Sequence, residues 1–130
     1  MDINRVELAH SELTGMILGC SFEIMKELGA GFLESVYENA LCIALQQEGL
    51  SVQQQVPIEV FFRKQVVGKY VADLFVGDKV LVELKAVKTL LPEHQAQTIN
   101  YLKATGIEVG LLINFGNPKL EFKRLFSRKR

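Results

Sequence analysis

Two acidic residues and a lysine interrupt two apolar runs that are typical of buried β-strands. Asp73 lies in the run that ends at Val76, and Glu83 and Lys85 lie in the run that begins at Val80. Carboxylates and an ammonium group are costly to bury among apolar side chains unless they are paired or bind a metal. Side chains alternate along a strand, so Glu83 and Lys85 share one face. Two carboxylates and a lysine in one place are what a magnesium-dependent phosphodiester hydrolase requires.

The turn between the two runs decides whether the acids meet. A three-residue turn at 77–79 pairs Val76 with Val80 and places Asp73 opposite Glu83. A two-residue turn would direct the two acids to opposite faces. Three-residue hairpin loops that contain glycine are common. We therefore predict a three-residue turn, or a bulge with the same effect.

Adjacent carboxylates repel each other when both are charged and dry. Either the pKa of one rises, or a divalent cation binds between them. Oxygen ligands suit Mg²⁺ or Mn²⁺, with water in the remaining positions. Lys85 could then position or deprotonate the attacking water, or stabilise charge on the phosphate. The alternative is a cross-strand salt bridge between Lys85 and Asp73 or Glu83 at a half-exposed sheet edge.

Two predicted helices carry further candidates. Glu34 lies on the flank of an apolar stripe, although an exposed glutamate in a first helical turn is also favoured by the helix dipole. Gln97 and Tyr101 are four residues apart and share a helical face. The glutamine can hydrogen-bond a phosphate, a base edge or water, and the tyrosine can stack or donate. The alternative for this pair is a polar face directed at solvent.

Hydrophobic periodicity predicts the order ααβββαββ. The helices are expected at about 11–28, 33–48 and 92–104, and the strands at about 56–62, 66–76, 80–86, 108–115 and 120–126. The third helix is long enough to cross over between parallel strands, so we expect an α/β (α+β) fold with a mixed sheet flanked by helices.

Composition narrows the class of protein. The 130 residues predict one domain over 1–130, and a hydrophobic content of 48% excludes a disordered chain. Lys+Arg and Asp+Glu both number 15, so net charge does not indicate a polyanionic partner. From Lys119 onward there are six basic residues and one acidic residue. This cluster can contact phosphates, or it can be a solvated terminus.

The expected location is cytoplasmic. The first ten residues contain no apolar signal segment, and no apolar run approaches the roughly 20 residues of a membrane span, so we expect no membrane association. Cys20 and Cys42 are interpreted as free thiols in a reducing compartment.

Together these segments resemble the GxxExxY family, a group of small proteins in the PD-(D/E)XK nuclease-like superfamily. The residues that match its motifs are Gly31, Glu34, Tyr37, Asp73, Glu83, Lys85, Gln97 and Tyr101. The residue before Asp73 is Ala72 where the superfamily name has proline, a proline that is often absent in the superfamily.

This resemblance implies a restriction-endonuclease-like core. It also implies that Asp73 and Glu83 bind Mg²⁺ or Mn²⁺, that Glu34 approaches the metal from its helix, and that Lys85 is the catalytic lysine. The residues that it implies for substrate binding are Tyr37, Gln97 and Tyr101.

The function expected from the resemblance is a metal-dependent nuclease that acts on DNA and leaves 5′-phosphate ends. One alternative is a non-catalytic nucleic-acid-binding or protein-binding module on the same scaffold. The neutral charge, the small size and the lack of an evident aromatic-basic stripe favour that alternative, and a homodimer or a partner protein could supply the missing surface. A third reading is an α/β domain with a structural ion pair and no nucleic-acid role.

Overall fold

A computed structural model describes residues 10–127 of the protein. Its elements are α1 Ser11–Leu28, α2 Glu34–Gln47, β1 Val52–Phe62, β2 Gln65–Val76, β3 Val80–Lys85, α3 Pro92–Thr105, β4 Val109–Asn114 and β5 Glu121–Phe126. The predicted order is confirmed. β1 begins earlier than predicted because the polar segment that opens with Val52 pairs with the end of β2.

The five strands form one sheet in the order β1-β2-β3-β4-β5. β3 and β4 are parallel, and every other neighbouring pair is antiparallel. α3 makes the crossover that the parallel pair requires. One apolar core lies between the sheet and helices α1 and α2, and a second lies between the sheet and α3. Because β3 and β4 are covered on both faces, their sequences are almost continuously apolar.

The turn between β2 and β3 has the predicted length. Val76 pairs with Val80, and the ladder continues to Leu74 and Val82. Gly77 has φ 61, a left-handed conformation that glycine adopts at little cost. This register brings Asp73 and Glu83 level with each other at the end of the ladder.

β2 changes face at Asp73. Leu74 packs in the core beside α1 and α2, whereas Ala72 packs in the core beside α3. Residues two apart on a regular strand would share a face. Opposite Asp73 in β1, Gln55 has φ 54, so both strands are irregular at this level. The pairing of β2 with β3 ends at the level of Asp73, whereas β1 and β2 stay paired beyond it. We call this further part of the β1–β2 hairpin, residues 56–72, the hairpin arm.

The segment that follows β3 packs against the last residue of β4 and the turn after it. The buried side chain of Asn114 accepts a hydrogen bond from the N–H of Val87 at 2.9 Å and donates one to its carbonyl at 2.8 Å. Gly116 lies against the same segment, where a Cβ would clash with the backbone of Ala86 and Val87. These contacts fix the path of the chain as it leaves Lys85.

Three further predictions concern the two cysteines, membrane-spanning segments and the basic cluster from Lys119 onward. Cys20 is half-buried and Cys42 is buried, and both are free thiols. None of the helices in residues 10–127 has the length and apolarity needed to cross a membrane. In the basic cluster, Lys119 is exposed, and residues 128–130 lie outside the described part of the chain.

We expect Gly116→Ala to lower the free energy of unfolding by about 1–3 kcal/mol, because the added methyl group has no space beside Val87. Urea denaturation would measure the change. The matched control is Gly19→Ala in α1, where a Cβ meets nothing within 4 Å and alanine is the better helix former. Equal stability of the two variants would show that the β4–β5 turn moves aside freely.

Candidate active site

Asp73 and Glu83 each bind the backbone of the other strand. Oε1 of Glu83 accepts a hydrogen bond from the N–H of Asp73 at 3.2 Å. Oδ2 of Asp73 accepts one from the N–H of Leu84 at 2.7 Å. These side-chain contacts link the strands where the ladder ends, and they hold the two carboxylates next to each other.

Glu83 is the most strongly perturbed acid of the site. Only 6% of the residue is exposed, and burial, followed by the negative charge of Asp73, raises the pKa of its carboxyl group from 4.5 to about 8. The hydrogen bond from the N–H of Asp73 and the positive charge of Lys85 partly oppose this shift. This is the behaviour expected of two carboxylates that cannot both ionise cheaply in a dry place. Without a cation, Glu83 therefore holds its proton near neutral pH.

A third carboxylate, Glu38 on α2, is linked to the site through glutamine side chains of β1. It is 8% exposed and accepts hydrogen bonds from Nε2 of Gln55 at 2.7 Å and from Nε2 of Gln54 at 2.9 Å. Nε2 of Gln55 also lies 3.5 Å from Oδ1 of Asp73. Gln55 thus links Glu38 on α2 to Asp73 on β2. Its left-handed backbone is a strained conformation of the kind found at functional sites.

Neither Glu38 nor Gln55 was predicted from the sequence to belong to the site. The available signal for Glu38 was its position four residues after Glu34, which places the two acids on one flank of a helix. Gln55 gave no signal, because it is one of three consecutive glutamines and only the bend opposite Asp73 selects it.

Glu34 lies at the exposed start of α2, within electrostatic reach of the pair. Partial burial raises the pKa of Glu34, the ammonium group of Lys85 lowers it, and the charge of Asp73 raises it. The positive charge of Lys85 therefore lowers the pKa of both Glu34 and Glu83 against the effect of burial. The structure brings all four predicted chemical residues into one electrostatic environment.

The donor set fits a cation that needs few protein ligands. Within residues 10–127, no three His, Cys, Asp or Glu side chains are arranged to hold a metal ion. Mg²⁺ often takes only one or two carboxylates and completes its coordination with water and substrate phosphate. Oδ1 of Asp73 and Oε2 of Glu83 are the oxygens not bound to strand backbone. Glu34 as a third ligand stays a prediction.

Gln97 and Tyr101 line a cleft of ≈ 780 Å³ between α3 and the hairpin arm. Tyr101 is only 6% exposed, and its pKa is raised by burial and then by the charge of Glu83. Gln97 is exposed. The two residues share a face as predicted, and Tyr101 lies within electrostatic reach of Glu83 and Asp73.

Tyr37 does not have the position expected of a substrate-binding residue. It is fully buried, and its ring stacks on Phe115 with centroids 4.6 Å apart. Its hydroxyl donates to the carbonyl of Gly29 at 2.6 Å and accepts from the N–H of Phe32 at 3.1 Å. The substrate-binding assignment of Tyr37 is therefore wrong in this structure. The residue instead fixes the loop that leads into Glu34, because it occupies an inward position of α2.

A mixed sheet that places two acids and a lysine at the end of an interrupted ladder is the framework of a nuclease-like protein. The chain belongs to the PD-(D/E)XK nuclease superfamily, whose family model matches residues 11–125. This confirms the superfamily part of the resemblance.

The fold is also found in a solved structure, the crystal structure of SSO0001. The two chains superpose with a TM-score of 0.59 at 17% sequence identity, over 97% of this chain. This chain spans 63% of the length of that one. At such low identity the similarity concerns the fold. Among curated proteins, none matched the sequence.

In the absence of divalent metal, we expect the protein to lose stability as pH rises from 4.5 to about 8. Over this interval the folded protein keeps the Glu83 proton that the unfolded chain has released, so rising pH favours unfolding. The slope is at most about 1.4 kcal/mol per pH unit. Urea denaturation in a chelator at several pH values measures it. Glu83→Gln should flatten the slope, and the exposed control Glu59→Gln should keep it. An unchanged slope in Glu83→Gln would contradict the assignment.

Proposed function

We propose that the protein is a Mg²⁺- or Mn²⁺-dependent nuclease that hydrolyses phosphodiester bonds of DNA. The observation that carries this proposal is the pairing of half-buried Asp73 with buried Glu83, with Lys85 two residues after Glu83 on β3. Membership of the PD-(D/E)XK superfamily supports it. A buried glutamate with its pKa near 8 is a poor structural element unless a cation or a proton accompanies it.

In this proposal Asp73 and Glu83 hold the cation through Oδ1 and Oε2, the carboxylate oxygens that accept no hydrogen bond from strand backbone. The bound cation would supply positive charge against the phosphate and lower the pKa of a water molecule. Lys85 directs its ammonium group toward the same place and stabilises negative charge on the phosphate oxygens. Its backbone is held firmly, since its carbonyl accepts a hydrogen bond from the N–H of Phe115 at 2.8 Å.

The proposed reaction is a direct displacement at phosphorus. A bond forms between the water oxygen and phosphorus, and the bond from phosphorus to the 3′ oxygen breaks. The water proton leaves to solvent, and the departing 3′ oxygen takes up a proton from solvent, while Lys85 keeps its positive charge throughout. The products are a 5′-phosphate and a 3′-hydroxyl end, as the superfamily resemblance implies.

We also propose that the chain is a member of the GxxExxY family. Gly31 has φ 115, a conformation that favours glycine, and Tyr37 fastens the loop around it. Two of the three motif residues would then be structural, and they would present Glu34 beside Lys85. In this reading Glu34 assists the cation or its water, and Gln97 contacts the substrate.

Lys85→Ala should reduce DNA cleavage by about a hundredfold or more, because the group that stabilises phosphate charge is removed. Labelled single-stranded and double-stranded DNA in Mg²⁺ and in Mn²⁺ would measure it. Lys79→Ala, in the exposed turn of the same hairpin, is the control and should cleave normally. Circular dichroism would confirm that both variants fold. Full cleavage by folded Lys85→Ala would refute the proposal.

Millimolar Mn²⁺ should raise the melting temperature of the wild-type protein, because the ion binds the folded state. At a hundred times Kd the stabilisation would be about 2.7 kcal/mol. Asp73→Ala should abolish this shift, whereas Asp78→Ala, in the turn at 77–79, should preserve it. Since the measured quantity is the shift, any change in baseline stability is removed. An unshifted wild-type protein would favour the non-catalytic binding module instead.

A further inference from the structure

The hairpin arm exposes an unusual number of large apolar side chains. Those exposed on it are Phe61, Phe62, Val66, Val67, Tyr70 and Val71. Single exposed apolar residues are ordinary, but a concentration of them on one element marks a binding surface. The arm also projects past the end of the β2–β3 ladder, so this surface borders the active site.

The tip of the arm is basic. Arg63 and Lys64 form its turn, and both have left-handed backbones with φ 51 and 67. The guanidinium group of Arg63 lies 4.8 Å from the ring centroid of Phe62. Lys69 faces Glu59, the arm's single acid, across the two strands. The tip charges are therefore the ones available for a partner. Aromatic rings beside uncompensated basic groups are typical of surfaces that bind single-stranded nucleic acid.

The arm also forms one wall of the cleft that α3 completes. Phe61 and Tyr70 line it from the arm, and Gln97 and Asn100 line it from the helix. Rings can stack on the face of a nucleobase, and side-chain amides can hydrogen-bond its edge. The ≈ 780 Å³ of the cleft falls in the range of sites that hold drug-sized ligands, which is ample for a base.

The ring of Tyr70 is supported on one side by neighbouring residues and is accessible on the other. Its ring lies along Gly68, where a Cβ would come within 3.3 Å of it, and its centroid is 5.5 Å from that of Tyr101. The residue is nevertheless 47% exposed. Neighbours support part of the ring and leave the rest accessible, so a stacked base would not need to order it first.

The distance from Tyr70 to the acids suits a substrate strand. Tyr70 precedes Asp73 by three residues on β2, which corresponds to about 10 Å. Tyr101, at the inner end of the cleft, lies close enough to Glu83 for that carboxylate to raise the pKa of its hydroxyl, after burial. A strand with one base in the cleft thus has neighbouring phosphates near the acids.

We propose that the cleft between the hairpin arm and α3 binds unpaired bases of single-stranded nucleic acid, with Tyr70 as the stacking platform and Arg63 and Lys64 as phosphate contacts. The choice of nucleic acid as partner rests on the proposed function, and the inference names its substrate class. A base inside a duplex must first unstack and unpair to enter a cleft, which costs free energy that an unpaired base does not spend. A basic groove would suit duplex phosphates better than these rings and amides do.

The test is fluorescence anisotropy with a labelled single-stranded oligodeoxynucleotide of about 12 nucleotides and a blunt duplex of the same sequence. A chelator is present, so no cleavage occurs. We expect the single strand to bind more tightly than the duplex. Tyr70→Ala should weaken single-strand binding about fivefold or more, and Tyr70→Phe should retain it. Phe122→Ala, which removes an exposed aromatic ring on β5, is the control and should bind normally.

Unchanged binding in Tyr70→Ala, tighter binding of the duplex, or no binding by the wild-type protein would overturn the inference. Sedimentation that shows self-association lost in Tyr70→Ala, without oligonucleotide binding, would overturn it and identify the arm as an interface between two copies. Because binding is measured without metal, the two proposals can fail separately. Tyr70-dependent binding without any cleavage supports this inference and removes the nuclease. Cleavage by the wild-type protein, together with binding that does not depend on Tyr70, would support the nuclease and overturn this inference.

Discussion

The burial of Glu83 beside Asp73 is the constraint on which the rest of the site depends. Two carboxylates in a dry place need hydrogen-bond donors, and here each takes a backbone N–H at the level where the β2–β3 ladder ends. The strands therefore stay connected through side chains. Connection through side chains frees the backbone beyond Asp73 to depart from the sheet. The electrostatic cost of Glu83 and the geometry of β2 are thus two aspects of one arrangement.

The same departure creates the cleft. Once β2 changes face at Asp73, the strand carries Ala72 and Tyr70 toward α3 instead of toward α1 and α2. Gln55, at the corresponding point of β1, adopts a left-handed backbone and is held by a hydrogen bond to Glu38. The irregularity is therefore shared by two strands and braced by a helix. The two acids and the exposed apolar surface of the hairpin arm lie together because one bend positions both.

Much of this arrangement followed from local pattern. Helical and strand periodicity predicted every element in order, and the glycine in the turn at 77–79 predicted the register that brings Asp73 level with Glu83. The start of β1 was missed, because glutamines lack the apolar alternation that marks a strand. Tyr37 was misassigned because a motif position does not reveal burial, and only the stack on Phe115 shows its structural role.

Other features were hidden because they depend on contacts between distant residues. The sequence showed no aromatic-basic stripe, since Phe61 and Tyr70 come near each other only when β1 pairs with β2 in the arm. Glu38 and Gln55 likewise acquire meaning only through the bend. A linear pattern reports which face a side chain takes on its own element. It does not report which irregular backbone another element will stabilise.

The raised pKa of Glu83 also links protonation to cation binding. A carboxyl group that titrates at about 8 is neutral in the metal-free protein at neutral pH, and this neutrality makes its burial tolerable. A cation between Glu83 and Asp73 would have to displace that proton, because ligating carboxylates are deprotonated. Proton and cation are then alternative ways of compensating one buried charge. Under the proposed function, the protein would fold with the proton in place and exchange it for the cation without rearranging the strands, since the backbone hydrogen bonds of both acids use the other carboxylate oxygens.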